Sequence, residues 1–161
     1  MSENSTNYNE AALEETYIAL LQEQGFPYQH GGEVRQAQGV AEEREKYGHR
    51  VSEEVLIRED LAAFLAERYR SEQITEAEIE RIIREMENLP ASDLYHSNRA
   101  IMKKVSDGFL FKRDDFLQKD LFIQLIDYSQ ADSNRYTLVN QLAIEGQQMR
   151  IPDLILYING L

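Results

Sequence analysis

The sequence predicts an α/β protein in which helices come first and a mixed sheet follows. Three observations predict it. Apolar residues recur at helical spacing in four stretches before Gly108. After Gly108 the period shortens to runs of strand length at 121–126 and 136–144. The last twelve residues open Arg150-Ile151-Pro152-Asp153, run apolar without a break from Leu154 to Ile158, and close on Asn159-Gly160-Leu161. Helices followed by strands imply α+β or mixed α/β packing. The 161 residues are one domain's length. Residues 1–108 read as mainly helical, with an irregular stretch at 26–51, and residues 109–161 as a strand meander.

Each element has its own local reasons. Asn7 with Glu10 three residues on predicts a helix start. Leu13, Tyr17, Leu20 and Leu21 predict its apolar face, and Gly25 its end. Glu10, Glu14 and Glu15 lie in the first turns, where the helix dipole favours them. The run Phe26-Pro27-Tyr28-Gln29-His30-Gly31-Gly32 reads as loop with a short extended piece. Ser52 predicts a cap for a second helix with the stripe Ile57, Leu61, Phe64 and Leu65. Thr75 and Glu78 form a capping box, with Ile74 and Ile79 as a hydrophobic staple, and Ile79, Ile82, Ile83 and Met86 continue the face. Leu89-Pro90 stops that helix. Ser92 opens a fourth helix, with Leu94, Ile101 and Val105 on one face; Asn98 either bridges within that face or points past its edge. Residues 127–134 read as a polar turn. Tyr136, Leu138, Leu142 and Ile144 alternate with polar or small residues, and Asn140 takes the same side. Leu154–Ile158 reads as a strand buried on both faces. Asn159-Gly160 is the strongest dipeptide signal for a two-residue hairpin turn, because both residues take φ > 0.

Composition narrows the function classes. There is no cysteine, which excludes disulfides and thiolate metal sites. No apolar run reaches membrane-spanning length, and residues 1–7 carry no signal pattern, so the sequence reads as cytoplasmic with no membrane partner. The net charge of −12 argues against a free-standing nucleic-acid-binding domain. Its distribution is uneven: residues 1–90 hold 20 acids against 9 bases, and residues 91–161 hold 9 against 8. Arg99, Lys103, Lys104, Lys112, Arg113 and Lys119 are interleaved with Asp107, Asp114, Asp115 and Asp120, the pattern of a solvated surface.

Several chemistries are missing from the motif record. There is no G-x-x-x-x-G-K-[ST] for a P-loop and no G-x-S-x-G elbow. His30, His49 and His96 lack metal-ligand spacing. Asp153 stands out. It follows a proline at the mouth of an apolar strand, where a carboxylate is exposed at a sheet edge and can hold Mg²⁺ with a second carboxylate from a neighbouring strand. A Pro-Asp turn is the plainer reading of the same dipeptide.

Larger pieces add to these. They are Asn9-Glu10-Ala11-Ala12-Leu13-Glu14 with Leu20 and Gly25-Phe26; Glu54-Val55-Leu56-Ile57 with Asp60-Leu61; Asn98 and then Gly108-Phe109; Leu125-Ile126-Asp127-Tyr128; Asn134-Arg135-Tyr136 leading to Val139-Asn140-Gln141; and the final stretch from Arg150 to Leu161. Together they resemble the N-terminal region of the R (restriction/translocation) subunit of type I restriction–modification enzymes, over nearly the whole chain. The final stretch is the specific piece, and Ile151 beside Pro152 is its one departure. The resemblance implies a PD-(D/E)xK nuclease fold in which Asp153 binds catalytic Mg²⁺. It implies that the family's Glu-x-Lys lies on the strand after the Asn-Gly turn, which agrees with a chain cut inside a hairpin and with an inactive fragment. Glu14 is the candidate helix glutamate, with Glu10 and Glu15 close behind. Gln141 matches the family's strand glutamine, supporting the site or packing within the sheet, and Asn140 stands beside it. The resemblance also implies ATP-driven motor domains elsewhere in the subunit, DNA as substrate, and separate specificity and methyltransferase subunits as partners.

Two other readings fit the residues: a non-catalytic acidic interaction or regulatory module, and a nuclease-fold domain of another DNA-processing motor. A strand left without its hairpin partner exposes an edge that invites pairing with another copy. Self-association in light scattering is therefore expected, and a monodisperse monomer contradicts it.

Overall fold

The computed structural model describes residues 9–31, 56–88, 94–115, 117–144, 148 and 150–161. The elements, in chain order, are α1 (Glu10–Glu23), β1 (Tyr28–His30), α2 (Arg58–Arg68), α3 (Glu76–Glu87), α4 (Leu94–Asp107), β2 (Phe109–Phe111), β3 (Leu121–Ile123), a 3₁₀ turn (Ala131–Ser133), β4 (Tyr136–Asn140) and β5 (Leu154–Ile158). The class is the expected one, α/β with a mixed sheet. The chain forms two compact units, one of Met1–Glu53 with Tyr136–Leu156 and one of Glu54–Arg135 with Tyr157–Leu161.

The first unit is built on a sheet in the order β1-β4-β5. β1 runs parallel to β4, with Tyr28 opposite Leu138, Gln29 opposite Val139 and His30 opposite Asn140. The central position of β4 explains its burial: Leu138 and Val139 are fully enclosed, and Thr137 and Asn140 nearly so. α1 ends as a Schellman motif. The Gly25 N–H donates to the Gln22 carbonyl (2.9 Å) and the Phe26 N–H to the Leu21 carbonyl (3.0 Å). The Phe26 ring then meets Tyr136 edge-on, with centroids 5.5 Å apart. An antiparallel bridge, Ile144 to Arg150, closes the connection from β4 to β5.

The second unit holds the core. Leu61, Phe64 and Leu65 of α2 meet Ile79, Ile82, Ile83 and Met86 of α3 and the inward side chains Phe111, Leu121 and Ile123 of the β2–β3 hairpin. Each such side chain is worth about 1.5–3 kcal/mol when fully buried. The Thr75 capping box forms as expected. The Thr75 hydroxyl accepts from the Glu78 N–H at 3.3 Å and the Glu78 carboxylate accepts from the Thr75 N–H at 2.8 Å. That carboxylate also takes a two-pronged bond from Arg113, at 2.8 and 3.0 Å. Arg113 donates further to the carbonyls of Glu72 and Gln73, so a cation from the basic surface cluster is in fact buried.

The Asn-Gly turn forms in this second unit. Asn159 (φ 54°) and Gly160 (φ 78°) are both left-handed. Ile158 and Leu161 exchange both backbone bonds, at 3.2 and 3.1 Å, as a two-residue hairpin turn does. Glycine is required for a second reason. A Cβ at position 160 would stand 2.1 Å from the Ile57 carbonyl oxygen, whose residue donates its N–H to Gly160 at 2.9 Å. The Asn159 side chain is wholly enclosed. Its Oδ1 accepts from the Arg135 N–H (2.6 Å), and its Nδ2 donates to the Leu125 carbonyl (2.9 Å) and to Asn134 Oδ1 (2.8 Å).

Several local expectations are corrected. Asn7, Ser52, Leu89-Pro90, Ser92 and His49 lie outside the described residues. α1 starts after Asn9 and α2 after Ile57, neither with a side-chain cap. On α1 the face with Leu13, Tyr17 and Leu20 is half-exposed, and the more buried row is Glu14, Ile18 and Leu21. Asn98 is exposed, past the edge of its stripe. β3 stops at Ile123 rather than 126, since Leu125 reaches the core from a bend, and β2 pairs with it as a hairpin the sequence did not mark. β4 stops at Asn140, and Gln141 turns left-handed (φ 50°) and is exposed, so it does not pack within the sheet. β5 is not buried on both faces, because Leu156 is 43% exposed. The strands do not form one meander: β2–β3 is a separate sheet, and β1, from the helical half, pairs with β4.

Two predictions follow from the second unit. Asn159→Ala leaves the Arg135 N–H, the Leu125 carbonyl and Asn134 Oδ1 short of partners. Unfolding in urea is expected to show a loss of about 3–5 kcal/mol, from unsatisfied groups of about 1–3 kcal/mol each. The second concerns pH. Burial raises the Glu78 carboxyl, but Arg113 and Thr75 together outweigh it and hold it below 4.5. The Ser129 hydroxyl, then Arg68, holds Asp127 well below 3.8. Both are depressed in the folded state, so their contribution is fully present above these ordinary values and is lost as pH falls through the depressed ones. The urea midpoint is expected to drop between pH 5 and pH 2, less so in Asp127→Asn.

Candidate functional site

Within the first unit, two of the sequence-marked acidic residues are tied to consecutive residues at the end of β4, Glu14 by its carboxylate and Asp153 by its backbone carbonyl. Asn140 is the last residue of that strand and is buried. A buried amide needs partners for both its ends. The Tyr28 hydroxyl donates to its Oδ1 at 2.9 Å. Its Nδ2 donates to Glu14 Oε1 at 3.0 Å. The next residue, Gln141, donates its backbone N–H to the Asp153 carbonyl at 3.3 Å. Glu14 on α1 and Asp153 before β5, 139 positions apart in sequence, thus both bond to the Asn140-Gln141 dipeptide.

The backbone here is unusual in two ways. Gln141 is a non-glycine residue in the left-handed region, which costs about 1–3 kcal/mol and marks a place where the surroundings dictate the conformation. Gly31, just after β1, lies so close that a Cβ on it would stand 2.7 Å from the Asn140 carbonyl oxygen and 2.8 Å from Leu142 Cα. A side chain at 31 would displace the end of β4.

Asp153 occupies a bend immediately before β5 and is exposed. Its carboxylate meets no partner among the described residues. Glu14 is half-buried. Glu15 is exposed on the next helix position, and the Glu10 side chain lies outside the described residues. Among the described residues no group of three or more His, Asp or Glu side chains stands together. Two carboxylates suit Mg²⁺ better than a larger hard cation, because Mg²⁺ keeps several waters and is held by one or two protein carboxylates with substrate phosphates completing its shell. Asp153 and Glu14 are the residues that would hold it.

Tyr28 went unmarked by the sequence. It sits in a three-residue strand, too short to show a period, and its contact partner is 112 positions away. The six basic residues singled out in the sequence lie in the second unit. There Arg113 is buried against Glu78 and Lys104 binds Glu85 at 2.6 Å, while Arg99, Lys103, Lys112 and Lys119 remain exposed.

Comparison with known proteins gives two kinds of match. Residues 7–161 match the family model "Type I restriction enzyme R protein N terminus". The chain is 27% identical over 156 residues to the type I restriction enzyme HindI endonuclease subunit of Haemophilus influenzae, an alignment covering 95% of this chain and 14% of that protein. It is 23% identical over 167 residues to the putative type I restriction enzyme MjaIXP endonuclease subunit of Methanocaldococcus jannaschii, covering 100% of this chain and 15% of that protein. The chain therefore spans about one seventh of the length of these relatives. Among the described residues no helix is long and apolar enough to cross a membrane.

Proposed function

The chain belongs to the family of type I restriction enzyme R protein N termini, and on that premise we propose that it is the endonuclease region of a restriction subunit that cuts DNA with Mg²⁺. The observation that carries this reading is the end of β4, where Asn140-Gln141 holds both Glu14 and Asp153. Asp153 is the principal metal ligand: exposed, unpaired among the described residues, and held at the backbone. Glu14 is the second, and Asn140 supports it. When bound, Mg²⁺ would polarise a phosphate oxygen and lower the pKa of a bound water to make a nucleophile. The protein's own part is to hold Glu14 and Asp153 at the end of β4.

On this reading the nuclease has a PD-(D/E)xK fold and works in the cytoplasm as one region of a longer subunit. ATP-driven motor domains deliver the DNA, and specificity and methyltransferase subunits choose the site. Delivery by a motor reconciles a net charge of −12 with a DNA substrate, since phosphate contacts made elsewhere supply the affinity. A second reading, an acidic interaction module, is favoured by one observation. The α1 face with Leu13, Tyr17 and Leu20 is about half exposed, and residues 1–34 contain no Lys or Arg.

The two readings separate on one substitution. In the full R subunit assembled with its partners, Asp153→Ala is expected to lower DNA cleavage by about 10³-fold or more, the loss of several kcal/mol of charge stabilisation, with ATP hydrolysis unchanged. Cleavage at the original rate would overturn the Asp153 assignment and favour the interaction module.

A further inference from the structure

α1 carries apolar residues on both of its faces. Leu13, Tyr17 and Leu20 are 45%, 52% and 48% exposed, while Glu14 shares the more buried row with Ile18 and Leu21. What Glu14 finds on the inside is a neutral donor. Asn140 gives it one amide N–H at 3.0 Å, and Asn140 is itself fixed by the Tyr28 hydroxyl at 2.9 Å. No Lys or Arg accompanies it among the described residues.

Three carboxylates of the second unit are treated differently. Glu78 is clasped by Arg113, Asp127 pairs with Arg68, and Glu80 is shared by Arg58 and Arg84. In each the negative charge is matched by an arginine, as burial of a charge ordinarily demands. At Glu14 the carboxylate is oriented by an amide, and no arginine or lysine pairs with it among the described residues. That is the arrangement of a ligand awaiting a cation, in which an outer hydrogen bond fixes the carboxylate and leaves its charge for the metal.

We infer that Tyr28 and Asn140 are positioning residues, a two-step relay that orients the Glu14 carboxylate toward a divalent cation shared with Asp153. This rests on the reading of Asp153 as a metal ligand. Tyr28 supplies the phenol that sets the orientation of the Asn140 amide, with its oxygen toward β1 and its nitrogen toward α1. Asn140 transmits that choice to Glu14. The relay links β1, β4 and α1 through Asn140.

The test uses this 161-residue chain, ¹⁵N-labelled, with Mn²⁺ alone as the probe. Paramagnetic broadening reports which amides lie near the ion and at what concentration it binds. The Asn140 side-chain NH₂ and the Gln141 backbone N–H are expected to broaden first. Tyr28→Phe removes one hydroxyl and keeps the ring, and it is expected to weaken Mn²⁺ binding by about 10-fold, as outer-shell substitutions do. Asn140→Ala is expected to weaken it at least as much, and Glu14→Gln to match Asn140→Ala. Urea midpoints recorded on the same variants separate lost binding from lost folding. Tyr28→Phe and Asn140→Ala binding as tightly as the unmodified chain, with Asp153→Ala not binding, would overturn the relay and leave Asp153 standing. Broadening that is absent, or unchanged in Asp153→Ala, would overturn both.

Discussion

The enclosed side chain of Asn159 is the constraint on which the second unit turns. Its amide satisfies three groups from three places in the chain: the Arg135 N–H, the Leu125 carbonyl and Asn134 Oδ1. Asn134 extends the network, accepting from the Asp127 N–H at 2.8 Å and donating to the Asp127 carbonyl at 2.9 Å. Asp127 in turn pairs with Arg68 at the end of α2. The polar turn at 127–134, whose one regular piece is the 3₁₀ turn Ala131–Ser133, is thereby held in place. Few residues can do this. The position needs a left-handed backbone, a donor and an acceptor in one short side chain, and asparagine is the residue that combines them. Gly160 beside it is fixed by the Ile57 carbonyl, so the turn is specified from both sides.

The first unit is governed by a buried amide as well, with a different outcome. Asn140 ends the central strand, and its partners come from β1 and α1. In the second unit buried polar groups close on one another or on arginine. In the first, the chain of bonds ends on the Glu14 carboxylate, which no arginine or lysine joins among the described residues. The same physical rule, that an enclosed amide must be paired, produces a rigid turn in one place and an oriented ligand in the other.

Charge follows a related division. Paired acids and arginines account for much of the polar surface of the second unit: Arg58 with Glu80 and Glu87, Arg68 with Asp127, Arg81 with Asp114 and Arg113 with Glu78. Exposed pairs of this kind contribute little each, about 0–1 kcal/mol. The enclosed Arg113–Glu78 pair is different, since it also closes the carbonyls of Glu72 and Gln73 in the turn before α3. α1 has no such arginines, and residues 1–34 contain no Lys or Arg.

The sequence by itself determined whatever depends on near neighbours. The Thr75–Glu78 box, the stripe of α3, the glycine end of α1 and the left-handed Asn159-Gly160 turn are each set within four residues, and each is found where the pattern puts it. The exposed carboxylate of Asp153 was legible for the same reason, from a proline before it and an apolar strand after it. Tertiary structure decided what depends on distant partners. Glu14, on the more buried row of α1, finds its partner in Asn140, more than a hundred residues away. β1 and β2, three residues each, were too short to carry a period and exist because β4 and β3 pair with them. Arg113 looked like one cation among several on a surface, and only the fold brought it to Glu78. Gln141 left the strand because the backbone turns there to meet Asp153. Local steric and capping preferences are written in adjacent residues. Hydrogen-bond demand inside a closed structure is met by whichever residues the fold brings near, and no window of sequence displays them.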